Sequence, residues 1–554
     1  MLHLNLTVKK PAKTKVVKQR ECCYVYHVLS SDYQKDRQFN IEKRVCIGKL
    51  INSDPKAEDM FPNDNYFLYY GNAEAEQTPT KSDCLQIGAF AALKKLLDQT
   101  GITKTLYQIH GDDAARIIDI ICYVIIEESG TMHHFSKYAW NHHTETGKAF
   151  DDTVISRLFC QGINSADIEA FLKDWNSAHT HKEKIYLSYD STNINTKAEG
   201  IDYAEFGHAK DDKTEPQVNL SYAIDHDDAT PLFYELYPGS IIDNSQVKYM
   251  VRKGKRYGYK DTGLILDRGY FSWDNIKAFD KEQIDFLMMV KINALFIQNA
   301  LEDARIPLMS GNKLYIPEHD VYGMTTIGHF NKSDKKRRYF HLYYDNVRAG
   351  QERNDFLKKI AELEKRLNTL IGEKASNISL REFKKYFTVR TDEFGKISGY
   401  RRRELEIKAK TDQFGFFAIV TSQKMEAGEA LDLYRKRDSI EKLFRALKTG
   451  LEYDNLKVHS TQSVESKTHL IFIASIIRNK LFQAMKDISG TDRKNYTVPA
   501  VLRELEKITV IKDGNGNYRR RYGLTAKQKK ILGTVGVTEK DLDKMADRLN
   551  LGVL

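Results

Sequence analysis

Three acids stand where a metal site would form: Asp190, Asp267 and Glu441. Asp190 closes the predicted strand KIYLSYD and is followed by polar STNIN; Asp267 closes GLILD and is followed by Arg-Gly-Tyr. In α/β sheets ligand groups gather at the carboxyl ends of strands, so two such aspartates can lie side by side. Unpaired, they repel, and one tends to hold a proton. A divalent cation removes that conflict, and hard oxygen ligands suit Mg²⁺. Glu441 would bring the third ligand from YRKRDSIEKLFRALK, residues 434–448, predicted as one helix. On a helical wheel Tyr434, Arg437, Glu441 and Lys448 project at roughly 0°, 300°, 340° and 320°, with Arg445 at about 20°. Three cations around one acid repel one another until a polyanion arrives. Phosphate fits, because arginine grips it through a two-pronged geometry and Tyr434 can donate to a phosphate oxygen. Leu433, Ile440, Leu443, Phe444, Leu447 and Leu451 fall roughly between 180° and 280°, a stripe whose burial would fix the angle of the polar one. Singly, a strand-end Asp caps turns and an Arg/Glu/Lys face is ordinary solvated surface; the combination is what points to a site.

These residues need a scaffold. Residues 1–82 are predicted to be β-rich and basic, with strands in ECCYVYHVLS and KRVCIGKL. Residues 83–178 turn helical: LQIGAFAALKKLLDQTG ends on Gly101, a helix stop, and DDAARIIDIICYVIIEES carries acids at its start. Over 179–291 strands and helices alternate. EKIYLSYD, QVNLSYAID and TPLFYELYPG form a meander, followed by helix DNSQVKYMVRKGKRYG, strand TGLILDRGY, helix FSWDNIKAFDKE and strand IDFLMMVK. Residues 413–489 resume with strand GFFAIVTS and the Tyr434 helix, an α/β layout around one sheet. Between them, 292–412 reads as an insert. PLMSGNKLYIPEHDVYGMTTIGHF and DKKRRYFHLYYD look like short strands. Phe356, Ile360, Leu363, Leu367 and Leu370 make a seam only about two heptads long, expected to pack on the chain's own surface. Residues 490–554 form a small mixed region with IKDGNGNYRRRYG as a hairpin.

The 554 residues carry net charge +10 with 41% hydrophobic and 29% charged side chains, a globular composition whose basic excess suits a polyanionic partner. Six cysteines stop at Cys160 and none forms C-x-x-C, which favours reduced thiols and a cytoplasmic setting over a disulfide framework. The N-terminus lacks the apolar core of a signal peptide. ARIIDIICYVIIEES and HLIFIASIIRNKLF are shorter than the roughly 20 apolar residues a membrane span takes and read as buried helices. The Gly-Lys of RVCIGKL is no Walker loop, so no nucleotide step is expected. The histidines of TMHHFSKYAWNHHTE (His133, His134, His142, His143) and of HTHK have no cysteine at zinc spacing and read as surface-helix residues in preference to ligands. Basic clusters in KKPAKTKVVKQR and at 251–260, 335–338, 401–403 and 519–521 would suit phosphate contacts along extended DNA.

Asp190 in YDSTNI, Asp267 in LDRGY and the complete Y-x2-R-x3-E-x6-K pattern of Tyr434, Arg437, Glu441 and Lys448 resemble the DDE transposases of bacterial insertion sequences, in the branch with the YREK signature. The gaps are 77 residues from Asp190 to Asp267 and 174 from Asp267 to Glu441, the longer one similar to that branch's β-rich insert. The resemblance covers about 180–485. It implies an RNase-H-like mixed sheet flanked by helices, interrupted by a β-rich plus helical insert, with N-terminal β-rich and helical DNA-binding regions. It further implies two Mg²⁺ ions, with Mn²⁺ as substitute, held by Asp190, Asp267 and Glu441 as catalytic residues. Tyr434, Arg437 and Lys448, by resemblance, grip phosphates near a cleaved transposon end; Arg445 joins them by its place on the wheel. The expected activity is cleavage at transposon ends and joining of the 3′-hydroxyls to target DNA. Double-stranded DNA would be the partner, a homodimer the synaptic form, and the bacterial cytoplasm and nucleoid the location. Relatives in this branch flip a base onto an aromatic; Trp273 is a candidate for that stacking, with Tyr315 and Tyr322 as rivals and core packing as the plainer role for Trp273. The alternatives are a stand-alone metal-dependent endonuclease and a catalytically silent DNA-binding repressor.

Overall fold

The structure, a computed structural model, describes residues 2–551 apart from 4–5, 20–21, 35–38, 52–53, 71–75, 78–80, 179–184, 208–213, 376–379 and 515. The HTHK histidines lie outside the described residues.

The N-terminal part is an antiparallel sheet of β1 (Leu6–Lys9), β2 (Lys15–Gln19), β3 (Cys22–Gln34), β4 (Phe39–Leu50), β5 (Asp59–Pro62) and β6 (Glu76–Gln77), in the order β2-β3-β4-β5-β1-β6. Helix α1 (Asp64–Tyr70) closes it, burying Tyr66 against Val8, Val25, Ile47 and Met60.

A short strand, β7 (Cys84–Gln86), leads into helices α2 (Gly88–Gln99), α3 (Ile102–His110), α4 (Asp113–Ile126), α5 (Phe135–Asn141), α6 (Asp152–Arg157) and α7 (Ser165–Ser177). α2 stops where the sequence predicts: Gly101 takes φ +77°, a left-handed conformation that suits glycine. α4 is apolar almost all round and lies in the centre of its layer, as such a helix must. The expected surface placement of the histidines holds for His133 and His134 but fails for His142 and His143, which are buried. α5 is short, and the chain leaving it pairs with β7, His143 N–H donating to Gln86 O at 2.9 Å. That pairing draws both rings inward, the His143 ring edge-on to Phe90.

The largest sheet has nine strands. Three form the antiparallel meander β8 (Ile185–Asn195), β9 (Gln217–Asp225) and β10 (Pro231–Pro238). After α8 (Asp243–Arg256), β11 (Thr262–Leu266) returns parallel to β8; after α9 (Trp273–Lys281), β12 (Asp285–Val290) returns parallel to β11. Residues 292–412 do not stand wholly apart as an insert. They begin with α10 (Leu295–Ser310), which absorbs the PLMS stretch read as strand, and continue with β13 (Tyr315–Ile316), β14 (Val321–Gly328) and β15 (Arg338–Tyr344). β15 pairs antiparallel with β18 (Phe416–Thr421), so these strands extend the same sheet in the order β10-β9-β8-β11-β12-β18-β15-β14-β13. The partner strand lies about 80 residues away in sequence, a pairing that local periodicity does not encode. Only α11 (Asn346–Thr369), β16 (Phe387–Thr391), β17 (Ile397–Arg402) and α12 (Glu404–Thr411) build a separate core, where Phe356, Ile360, Leu363 and Leu367 of the heptad-like seam pack on Phe383, Phe387 and Phe414.

β18 leads into α13 (Ala427–Arg435) and α14 (Asp438–Arg445), then into α15 (Thr461–Ser489), whose middle turns from Leu470 to Ile477 are all buried. The chain ends with α16 (Val498–Leu505), β19 (Thr509–Lys512), β20 (Tyr518–Arg520), α17 (Ala526–Thr534) and α18 (Glu539–Leu551). β19 and β20 make the predicted hairpin, and β7 adds to it as a third strand. This ties the C-terminal region to the helical layer. Among the described residues no helix is long and apolar enough to cross a membrane.

Several predicted phosphate-contact clusters are engaged within the protein. Arg338 is buried and bonded by its guanidinium to Asp280 and Asp334. Arg402 pairs with Glu364, Arg520 with Glu539, and Lys253 and Lys255 with Glu235 and Glu282.

Candidate active site

The two aspartates come together through strand register. β11 pairs in parallel with β8 so that each residue faces one 77 positions earlier, from Thr262 opposite Ile185 to Ile265 opposite Ser188. Asp267 follows Asp190 by the same 77 positions, so continuing the register two residues past the last pair sets them level on neighbouring strands. Asp267 stands just beyond the end of β11, as expected. Asp190 does not end its strand: β8 runs on to Asn195, because its antiparallel pairing with β9 continues to Asn195 opposite Gln217 after β11 has stopped.

Local donors aim each carboxylate. Asp190 Oδ1 accepts from the Ser191 N–H at 2.8 Å and lies 3.3 Å from the Tyr270 hydroxyl, which is also 3.0 Å from Ser191 Oγ. Asp267 Oδ1 accepts from the Arg268 N–H at 2.7 Å and from the Tyr434 hydroxyl at 3.2 Å. Burial pushes the phenol of Tyr270 well above its ordinary pKa, with Tyr189 and Asp190 adding to it. Tyr434 is raised in the same direction by burial and the Asp267 charge, although Arg437 opposes this. Both hydroxyls therefore stay protonated donors.

The segment carrying the third acid differs from the single helix predicted for 434–448. α13 ends at Arg435 and α14 starts at Asp438. Between them the bonds tighten to i→i−3, Arg437 N–H to Tyr434 O and Ile440 N–H to Arg437 O, both 3.0 Å. A π-helical turn over Ala446–Gly450 follows. The interruption lets the two halves anchor in different places. α13 packs Ala430, Leu431 and Tyr434 on Ile265, Leu287 and Ile419, whereas α14 buries Ile440 and Phe444, the latter against Tyr222 of β9. The predicted apolar stripe is largely real, with Ile440, Phe444, Leu447 and Leu451 buried and Leu433 and Leu443 half-buried.

The polar stripe turns inward more than the wheel implied. Tyr434 and Arg437 are buried. Arg437 is ion-paired to Glu441 one turn on, and its Nη1 lies 3.5 Å from Asp190 Oδ2. Burial works against its charge, but the carboxylates of Asp267, Glu441 and Asp190 outweigh it and hold the guanidinium's pKa above the ordinary value. Its Nε and Nη1 make no hydrogen bond among the described residues. Arg437 thus links the acid on α14 to the acid on β8, while Tyr434 links α13 to Asp267. Lys448 sits half-buried in the π turn and Arg445 is exposed at the end of α14. Trp273 is no core residue: it is 43% exposed, with its ring edge-on to Phe271 and Phe330. Tyr315 and Tyr322 face each other on the edge strand β13 and its neighbour β14.

Sequence reasoning missed Tyr270 and the inward turn of Arg437. The signal for Tyr270 was its place three residues after Asp267, where a single 3₁₀ turn swings it back over the strand ends. Carboxylate oxygens from three elements suit hard divalent cations by type, although among the described residues they do not all lie within 4.8 Å of one another.

The mixed α/β sheet sets one acid within β8 and one just past β11, and Arg437 ties the acid of α14 to the first of them. Residues 181–477, more than half of the chain, match the family described as "Transposase DDE domain". The chain belongs to that family: it is a DDE transposase, and membership implies use of a divalent metal. No curated protein sequence matches it. Among solved structures, the cryo-EM structure of the piggyBac transposase synaptic complex with hairpin DNA aligns with 82% of this chain and 72% of that chain, at 8% identity and a TM-score of 0.32.

Proposed function

We propose that this transposase is of the bacterial insertion-sequence type with the YREK signature, and that it cleaves DNA at transposon ends and joins the 3′-hydroxyls to target DNA. In this reading β8–β12 and β18 form an RNase-H-like core, and residues 1–178 contribute recognition of the ends. The observation that carries the proposal is the shared 77-residue offset of strand register and aspartate spacing, with Glu441 tethered to Asp190 through Arg437.

Asp190, Asp267 and Glu441 would hold two Mg²⁺ ions, with Mn²⁺ as a substitute. When bound, such ions supply Lewis-acid charge and favour the ionised form of an attacking hydroxyl in displacement at phosphorus. The chain's own residues do the rest. Tyr270 and Tyr434 hold the two aspartates at fixed angles. Two Arg437 nitrogens, Nε and Nη1, make no hydrogen bond among the described residues, and a phosphate oxygen would satisfy them. Moving toward phosphate would release Glu441 for ligation. Lys448 and Arg445, farther along the same segment, would continue the phosphate grip, and half-exposed Trp273 offers a surface on which an extruded base could stack. Two ends must meet for joining, so a homodimer on double-stranded DNA is expected.

The test is cleavage of a labelled duplex carrying the element's own end, in Mg²⁺ and in EDTA. Wild type should nick at the end and join the product to a target duplex; Asp190→Asn, Asp267→Asn and Glu441→Gln should bind but not cut. Full cutting by any of the three would refute the site. Cutting without joining would make the protein an endonuclease, and binding without cutting a silent remnant.

A further inference from the structure

A second cluster of ligand-type side chains lies away from the carboxylate triad, where three helices end. Glu127 follows α4, His142 follows α5 and Glu506 follows α16. The Nε2 of His142 is 3.4 Å from Glu506 Oε1, and one ligand atom from each of the three residues lies within 4.8 Å of the others.

The protonation pattern makes this more than proximity. His142 Nδ1 is 2.9 Å from the Tyr138 carbonyl oxygen, which can only accept, so Nδ1 carries the proton. In the neutral ring Nε2 is then a lone pair, and it points at carboxylate oxygens that are also acceptors. The His142 side chain is only 5% exposed, so the contact with Glu506 is balanced either by a second proton on the ring or by a cation. No lysine or arginine among the described residues pairs with Glu127 or Glu506. Tyr138 stacks on the imidazole at 4.0 Å between centroids, which fixes the ring's direction. Three helix C-termini add their negative dipole ends to the two carboxylates. An imidazole whose far nitrogen is held by a backbone carbonyl, with carboxylates before its lone pair, is the usual build of a metal-ligating histidine.

We propose that Glu127, His142 and Glu506 form a structural site for one divalent transition-metal ion of the Zn²⁺ class. Nitrogen and carboxylate ligands at about 2.0–2.2 Å suit that ion. Glu127 is exposed and Glu506 half-buried, so both side chains have room to close the remaining distance. The site joins residues 83–178 to the C-terminal region, reinforcing the seam where β7 meets β19. It is independent of the triad and of the reaction proposed there.

The experiment is equilibrium dialysis of the full-length protein against Zn²⁺ after chelation, with Co²⁺ in place of Zn²⁺ for its visible ligand-field bands. An Asp190→Asn/Asp267→Asn background removes binding at the triad. That background should keep one tight Zn²⁺ and should lose thermal stability when it is chelated. Adding Glu506→Gln or Glu127→Gln, both outside the core, should weaken Zn²⁺ binding by about tenfold or more and abolish the chelator effect. His142→Gln should do the same and lose the nitrogen-ligand signature in the Co²⁺ spectrum. Stoichiometric Zn²⁺ retained at unchanged affinity in the glutamate variants would overturn the proposal. So would the absence of tight Zn²⁺ in the background protein, which would assign the His142–Glu506 contact to an imidazolium.

Discussion

Arg437→Met isolates one charge in the site while keeping most of the side chain's volume. The guanidinium pairs with Glu441 and lies 3.5 Å from Asp190 Oδ2, so in the DNA-free protein it competes with any cation for those acids. At an effective dielectric of about 20 a unit pair at this distance is worth some 4–5 kcal/mol before solvent is counted. Glu441's side chain is 49% exposed and Asp190's 18%, so water screens the first heavily and the second in part. Scaled toward surface-pair values, the two together come to about 1.5 kcal/mol. Removing the charge should therefore tighten Mn²⁺ binding by close to tenfold. The same change removes Nε and Nη1, which make no hydrogen bond among the described residues and are offered to phosphate, so affinity for transposon-end DNA should fall and cleavage should drop further. The assay is Mn²⁺ titration of DNA-free protein by calorimetry or by the free-ion resonance signal, beside gel-shift titration of end DNA. Glu441→Gln serves as the control that loses metal. Mn²⁺ binding that is unchanged or weaker in Arg437→Met would refute the competition, and undiminished DNA binding would refute the phosphate role.

Tyr270→Phe removes the hydroxyl facing Asp190 and Ser191 and should slow single-turnover cleavage about tenfold, the scale of one hydrogen bond, while leaving end binding intact; an unchanged rate would mean that Asp190 is held by β8 alone. Lys448→Ala should make the salt dependence of end binding shallower by about one unit of slope, and a parallel shift with the same slope would exclude a phosphate contact there. Lys467 is buried on α15 with its Nζ donating to Leu456 O at 2.8 Å, and burial, reinforced by the charge of Lys457, lowers its pKa from 10.5 to about 7. Between those values the unfolded chain holds a proton that the native chain has released, so this lysine's contribution to stability grows with pH across the window and is lost as pH falls through about 7. Lys467→Met should flatten that rise, read as urea midpoints near neutral pH and near pH 10; the same slope in the variant would place the titration elsewhere.

Much of this enzyme is written in local pattern. The strands from β8 to β12 and β18 follow apolar runs bounded by turn residues; α4 and the apolar middle of α15 announce themselves as buried stretches shorter than a span; Gly101 stops α2 as only a left-handed residue would. The identities and spacings of Asp190, Asp267 and Glu441 are likewise legible, because an acid between an apolar run and a polar one, or an acid among cations, needs no partner to be conspicuous. Tertiary structure alone decided what those residues face. Parallel register made 77 residues of sequence into neighbouring positions, and no periodicity within either strand specifies that offset. The wheel for 434–448 assumed one unbroken helix, but anchoring α13 on the sheet and α14 beside β9 interrupts it and turns Tyr434 and Arg437 onto the acids. Local propensity carries no record of such competing long-range contacts. The same holds for β15, which joins β18 rather than a separate insert, and for His142, which a short helix and a strand pairing carry indoors to meet Glu506 from the far end of the chain. Backbone pattern is set by neighbours in sequence; the surroundings of a side chain are set by segments hundreds of residues away, and those are settled only when the whole sheet and its helices pack.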